Sequence, residues 1–574
     1  METHTATEFK KCIQPLLVAA VAGLLATGCR TYQEQNRVIQ YWHQNNLTNA
    51  VVEAAKMADQ NAKNKDAIIW RLEEGAVLRG AARYEDSNKA FDQAQAKMDD
   101  YAQKAKVRVG QEAGALLSNQ ANLDYEGRAY DGIMLNTYKA LNYLQLGEID
   151  KARPELIRAY QRQKDAVDDN KKRIEKAQNE AAKSKDKATM DKAQSDPKFK
   201  NQMQGAYANL DTLKVYADYV NPFTVYLDGL YFMANAADAS DLERAHKSLE
   251  RVAEFDPDNN YVKQDLALAD SLIQGKPLSP TTYVIFETGC APVRDQIRID
   301  IPIILSKVSY VGAAFPTLKP QGNYLPSLTV TANSIIVTTN NTVTTANSTT
   351  TTTNDAATAP ATTGTSATTN DTVTTAGGTS TATNDTVTTT SSTTTTTNDT
   401  TMTSGSTTTT TNGTTVTASS TTTTADITTA TASSTTATTS PIANMDSVIG
   451  LDFKNELPLV ITKTIASTIT KAVAAYAANQ AASQQSDIAG LFMQLTTAVY
   501  QMAVNIADER TWTTLPKEFQ VCRFPTPPDR KIVLSTPDGL QKIPVTIEDG
   551  TINIVYVKSI TATSPLLVTQ MKLK

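Results

Sequence analysis

The sequence predicts an α+β multidomain protein: a repeat-like α-helical array, then a smaller C-terminal α+β domain interrupted by a threonine-rich insert. Three observations carry that prediction. From about residue 35 to 275, apolar residues recur at three- and four-residue spacing and Gly and Pro are sparse. From Thr282 onward, runs rich in β-branched and aromatic residues take over. Between residues 336 and 440 the chain is dominated by Thr with Ser, Asn and Ala, and holds almost nothing that could form a core.

Residues 1–28 read as a secretory signal peptide. Lys10 and Lys11 precede an uncharged apolar run, Cys12 to Ala26, that is short for a bilayer span. The run ends in Leu25-Ala26-Thr27-Gly28-Cys29, which resembles a bacterial lipoprotein signal. Cys29 is then the lipid-attachment residue and the first residue of the mature chain. Ala26 stands where such signals favour Leu, and Pro15, Glu2 and Glu8 are atypical of them. The alternative is an ordinary secreted protein with a coincidental cysteine. Two or more acyl chains anchor stably, at about 0.8 kcal/mol per buried methylene. Arg30 follows the cysteine. By resemblance to Gram-negative systems, Asp there would retain the protein at the inner membrane. The expected address is therefore the outer membrane, facing the periplasm, with the cell surface as the alternative. Residues 29–40 are read as a short tether.

The 574 residues suffice for two or three domains. Net charge is −5 and no basic tract occurs, which excludes an electrostatic footprint for nucleic acid. His4, His43 and His246 are scattered without metal-ligand spacing, so neither a metal nor a cofactor is expected. Beyond Cys12 and Cys29, two cysteines remain. In an exported protein, Cys290 and Cys522 can pair as a disulfide or stay as two separate buried thiols.

Residues 41–275 form the helical domain. Tyr143, Leu144, Gly147, Ala152, Leu156 and Ala159 fit the tetratricopeptide (TPR) pattern of small and large residues on paired helices. Gly75, Leu78, Ala82, Tyr84, Ser87, Phe91 and Ala94 repeat the spacing. Gly229, Phe232, Ala245, Leu249, Val252 and Pro257 do so with a longer turn, and Tyr41, Ala50, Ala54 and Met57 do so weakly. The units are unevenly separated, so extra helices are expected between them, for example over Gln111–Ala129. Such arrays offer a concave groove. In the third unit the groove positions fall on Met134, Thr137, Leu141, Leu144 and Gln145. Either a peptide partner or this protein's own inserted helices would fill it. Residues 161–200 alternate charge sign, as a solvated helix or helical hairpin does.

The C-terminal domain is assigned to residues 276–335 and 441–574. Strands are expected at Tyr283–Phe286, Gln296–Ile303, Val308–Val311, Lys531–Ser535, Ile543–Ile547, Ile552–Val557 and Leu566–Met571, and a helix over Glu456–Glu509. Gln494, Gln501 and Asn505 make the apolar run Ile488–Ile506 a core helix before a membrane span.

The insert, 336–440, is expected to be disordered or extended. Asn370, Asn384, Asn398 and Asn412 recur every 14 residues. Thr372, Thr386 and Thr400 each follow Asp, and resemble an Asp-Ser/Thr-apolar O-glycosylation acceptor, although Thr401 supplies only a methyl group at the apolar position.

Three further stretches stand out together: Tyr130 to Leu144, Asn221-Pro222-Phe223, and Ala507-Asp508-Glu509-Arg510-Thr511-Trp512 leading to Leu515-Pro516. With them the chain resembles an uncharacterised family of bacterial TPR-like lipoproteins, except in the insert. Members are often encoded beside a lipoprotein that activates penicillin-binding proteins, so the resemblance implies a link to cell-wall maintenance.

No GxGxxG, P-loop, GxSxG or HExxH motif occurs. The turn Asp508–Trp512 is the best candidate for a special site, because it mixes opposite charges with an aromatic. Its bland alternative is a helix end and a Trp-anchored loop. The function these readings favour is a membrane-anchored lipoprotein scaffold that engages an unidentified envelope protein. A surface-exposed structural or adhesive lipoprotein with a glycosylated Thr-rich segment is the alternative. No catalytic residue is assigned; an envelope enzyme with an unrecognised site is a third reading.

Overall fold

The computed structural model describes residues 37–107, 120–214, 216–217, 219–304, 308–354, 389–411, 414–483 and 506–574. Cys29, Thr372, Thr386 and the apolar run over 488–505 lie outside them. The fold is α+β, with eleven helices preceding the first strand among the described residues.

The helices are α1 (residues 37–43), α2 Leu47–Gln60, α3 Ala67–Gly80, α4 Tyr84–Val107, α5 Ala129–Gln145, α6 Ile149–Ala182, α7 Lys187–Ser195, α8 Pro197–Tyr207, α9 Pro222–Ala234, α10 Ala239–Phe255 and α11 Asn260–Ile273. Their starts follow local chemistry. Asn46, Asp196, Asn221, Asp238 and Asn259 each accept a first-turn backbone N–H through the side chain. Pro197 and Pro222 occupy the first helical position, where a missing N–H costs nothing.

Consecutive helices pack tightly where small residues were placed by spacing. A Cβ on Gly75 would sit 2.4 Å from the Phe91 ring, and one on Gly229 would sit 2.8 Å from Leu249. Ala94, Ala152, Ala159 and Ala245 are fully buried. The helix expected over Gln111–Ala129 is corrected in its described part. Gln120–Asn122 is one 3-10 turn, and the segment before α5 is irregular, because Tyr125 donates its N–H to Lys65 O at 2.7 Å. The charged region is the exposed second half of α6 followed by α7 and α8.

One sheet has the order β12-β11-β1-β8-β7, with β1 Thr281–Thr288, β7 Ser440–Asn444, β8 Glu518–Pro525, β11 Ile552–Ser559 and β12 Leu567–Lys572. Its central strand β1 is buried along its whole length, parallel to β11 and antiparallel to β8. β2 Val293–Ile304 and β3 Val308–Lys319 form a separate hairpin. β9 Lys531–Ser535 and β10 Lys542–Thr546 pair beside β4 Thr329–Asn354. Sequence reading did not single out β7 or β8.

The described parts of the insert are extended and paired: β6 Thr414–Thr438 lies antiparallel between β4 and β5 Thr389–Thr411. β-branched threonine favours such backbone. α12 begins earlier than expected, at Met445, and is described to Ser483. The expected continuation of helix to Glu509 is corrected at its end, because residues 506–512 are irregular. Among the described residues, no helix is long and apolar enough to cross a membrane.

Among the described residues, two hydrophobic cores result. The larger runs without a break from Trp42, Trp70 and Phe91 of the helices to Tyr283, Trp512 and Tyr556 of the C-terminal domain. The smaller joins Met190 and Phe199 to Ile299, Phe315 and Ile465, and so pins α7 and α8 to the β2–β3 hairpin and α12.

Candidate functional site

The three stretches singled out in the sequence meet at the junction of the helical layer and the C-terminal domain. Asn221 caps α9 and donates from Nδ2 to Met134 Sδ on α5 at 3.0 Å. Tyr130 Oη and Thr511 Oγ1 lie 3.3 Å apart, and Trp512 packs edge-on against both Phe91 and Tyr138. The Asp508–Trp512 turn is thus a partly buried connector between layers, with Thr511 and Trp512 fully enclosed.

Around it, three arginines face five carboxylates. Arg128, at the start of α5, donates to both oxygens of Glu456 at 2.8 and 2.7 Å. Arg294 of β2 donates to the same carboxylate at 2.7 Å. Arg510 bonds Asp508 at 2.7 Å and Asp66 at 3.0 Å. Asp131 Oδ2 accepts from Tyr125 Oη at 2.5 Å and from the Arg128 N–H at 2.8 Å. Asp452, one turn before Glu456 on α12, completes the set.

Burial pulls Glu456, Asp508, Asp131 and Asp452 towards the neutral form, and neighbouring charge decides which resist it. For Glu456, Arg128 and Arg294 outweigh burial and hold its carboxyl far below the usual range. For Asp508, Arg510 and Arg128 do the same to a lesser degree. Asp131 is pushed up to about 6 by burial, against its hydrogen bonds and Arg128. Asp452 is pushed up to about 7 by burial and then by Glu456. Arg128 Nε, Arg294 Nε and Asp131 Oδ1 are buried without a hydrogen-bond partner.

Two more buried acids lie outside this cluster. Glu73 of α3 accepts from Thr513 N–H and Oγ1 at 2.6 Å and from Thr514 Oγ1 at 2.7 Å; burial raises it to about 7 despite these bonds. Glu287, at the end of β1, accepts from Tyr138 at 2.9 Å, Tyr556 at 2.5 Å and Lys558 at 2.6 Å. Burial opposes its charge, but Lys558 and Arg79 prevail and hold it low. An acid inside an apolar run, as in Trp70-Arg71-Leu72-Glu73 or Ile285-Phe286-Glu287, is the signal that could have found both.

The groove positions are occupied from within the chain. Met134, Thr137, Leu141 and Leu144 are fully buried. Thr137 Oγ1 meets Thr224 Oγ1 at 2.8 Å, and Gln145 donates to Thr569 Oγ1 of β12 at 2.8 Å. Among the described residues, α9 and the C-terminal sheet cover this face.

Cys290 and Cys522 are two separate free thiols, not a disulfide. Cys522 pairs in register with Val284, and Cys290 lies six positions further along. The end of β1 at Thr288 is already four positions, about 13 Å at roughly 3.3 Å per residue, from that register, beyond the roughly 7 Å a disulfide can bridge. Cys290 Sγ lies 3.5 Å from His43 Nε2, and burial pushes the thiol up to about 12, so it is protonated and a poor nucleophile. Thr400 falls within β5, in register with Ala425.

Among the described residues, no group of three or more His, Cys, Asp or Glu is placed to hold a metal ion. An open depression of about 350 Å³ lies elsewhere, with Met233, Leu242, Leu272, Lys276 and Thr551 in its walls. The chemistry of the junction itself is charge neutralisation: it ties α5, β2, α12 and the 508–512 turn together. No family model matches the chain, and comparison with curated proteins and with solved structures finds no match.

Proposed function

We propose that this chain is a membrane-anchored lipoprotein scaffold of the bacterial envelope, acting through protein–protein contacts near the bilayer and linked to cell-wall maintenance. The observation that carries the reading is the short run from Cys29 to the first packed residues. Val38 and Trp42 of α1 are already buried. Nine residues of extended chain reach at most about 30 Å, so an acyl chain on Cys29 would hold the helical layer close to its membrane. The close crossings at Gly75 and Gly229 support reading the helix pairs as TPR-like. With the groove face filled by the protein's own sheet, the surfaces left for a partner are the outer helix faces, including the long exposed part of α6.

Two experiments test this. Cys29→Ala should move the protein from the membrane to the soluble fraction of native cells; retention in the membrane sinks the anchor. Crosslinking in native cells, followed by partner identification, should recover an envelope protein; recovery of none sinks the scaffold. The Thr-rich segment keeps the adhesive reading testable. Its loss on protease shaving of intact cells would mean surface exposure.

A further inference from the structure

Charge signs alternate along residues 161–200, but folding sorts them from the end of α6 onward. Residues 183–200 hold six lysines and three aspartates. Lys183, Lys185, Lys187, Lys192, Lys198 and Lys200 are all exposed. Two of the aspartates are engaged by the fold. Asp186, in the turn between α6 and α7, accepts from Thr470 Oγ1 of α12 at 3.2 Å. Asp196 accepts the Phe199 N–H at 2.9 Å and caps α8. Both stand at a helix N-terminus, whose half-positive end offsets a carboxylate. The third, Asp191, pairs with Lys187, and Lys198 pairs with Asp300 of β2 at 3.2 Å. Among the described residues, Lys183, Lys185, Lys192 and Lys200 have no ion-pair partner.

These lysines ride on packed elements. Met190, Ala193 and Phe199 turn into the smaller core against Ile299 and Phe315, which leaves the lysines on the outside of α7 and α8. The acids before them do not cancel the charge. Glu180 acts on Lys463 of α12, and Glu175 lies among Lys171, Lys172 and Lys176. Asp169, Asp168 and Asp165 precede Lys183 by 14 residues or more. That is about 21 Å along a helix, more than two Debye lengths at physiological salt. A one-signed basic face therefore stands on a chain whose net charge is −5.

The face has charge but no apolar anchor. Among the described residues, no large hydrophobic side chain is exposed on α7, on α8 or on α6 beyond Val167. A protein interface draws most of its energy from buried aromatic or aliphatic anchors. An anionic bilayer needs none, because each lysine near its surface is attracted separately. We propose that the outer face of α7, α8 and the α6–α7 turn docks on the anionic headgroups of the bilayer, as a second contact beside the lipid on Cys29. The membrane setting rests on the anchored-lipoprotein reading; the attraction does not. A lipid tether limits distance alone, whereas a second contact also sets which side of the scaffold faces the membrane.

The test is cosedimentation with vesicles, using the chain from residue 29 onward with Cys29→Ala, which holds every described residue and carries no lipid. Vesicles of phosphatidylcholine with about 30% phosphatidylglycerol should bind it at least about tenfold more strongly than pure phosphatidylcholine. Raising NaCl from about 0.05 M to about 0.5 M should remove that difference. Lys183→Glu, Lys185→Glu and Lys192→Glu together should also remove it. The exposed lysines of α10 and α11 give a control: Lys247→Glu with Lys263→Glu should keep binding within about twofold. Equal binding to both vesicles overturns the proposal, and so does an equal loss in the control, which would mean that only overall charge matters. Absence of vesicle binding, with crosslinks from Lys183 or Lys185 to an envelope protein, would make this face a protein-docking site and overturn it as well. With no lipid on the chain, failure here leaves the Cys29 anchor standing, and failure of the anchor in cells leaves vesicle binding unaffected.

Discussion

Phe223 and Phe519 lie face to face, with ring centroids 3.8 Å apart and planes 1° from parallel. Phe223 opens α9 and Phe519 belongs to β8, so this stack joins the helical layer to the C-terminal sheet at the middle of the larger core. Both rings are fully buried. Phe519→Ala should cost about 3–5 kcal/mol, through lost transfer energy and the cavity left behind. Because one core spans both layers, urea unfolding should show one shared transition shifted to lower denaturant for helix and near-ultraviolet signals alike. Separate transitions would contradict the shared core.

Gly75 is required by its neighbour. Alanine would ordinarily favour a helix by about 1 kcal/mol over glycine, yet a Cβ here would enter the Phe91 ring. Gly75→Ala should therefore destabilise by about 1–3 kcal/mol, the usual cost of overpacking. Gly75→Ala combined with Phe91→Leu should recover part of that loss. Chemical denaturation of the three variants reads the difference.

Arg128 and Glu456 form a buried ion pair that also serves Arg294. Arg128→Ala should cost about 3–5 kcal/mol, because it leaves carboxylates buried beside fewer cations. Replacing both Arg128 and Glu456 should cost less than the sum of the single replacements. Additive losses would show that the pair is not coupled.

The buried acids predict a stability maximum at mildly acidic pH. Glu456, Glu287 and Asp508 have folded values held below the usual range, so their contribution is present above about pH 4.5 and is lost as pH falls through those values. Asp131 and Asp265, an α11 acid that accepts from Tyr226 and Tyr283, sit at about 6 and Glu73 and Asp452 at about 7. Each of these raised acids favours the fold below its unfolded value, and that advantage is lost as pH rises through the folded one. Thermal unfolding from pH 4 to pH 8 should peak near about pH 5. Glu73→Gln should flatten the alkaline side by up to about 3 kcal/mol, since a shift of one unit is worth 1.36 kcal/mol. An unchanged alkaline limb would show that Glu73 does not carry it.

Much of this architecture could be read along the chain. Apolar spacing located helix pairs and put Gly75 with Phe91, and Gly229 with Leu249, in the same units, because a helix crossing is set by residues close in sequence; the structure brings each pair into contact. Runs of β-branched and aromatic residues located β1, β9 and β11, and alternation located β2, because each strand's character is written in its own side chains. The strand β8 shows a weaker signal, with Arg523 and Gln520 interleaved among its apolar residues. What occupies the inner face of the helices, whether Cys290 can reach Cys522, and which carboxylate receives Arg128 were decided only by the tertiary structure. Each depends on contacts between residues hundreds of positions apart, which local propensity does not encode. Arg128 and Glu456 are 328 residues apart in the chain, and only the packing of α12 against α5 and β2 makes one the counter-ion of the other.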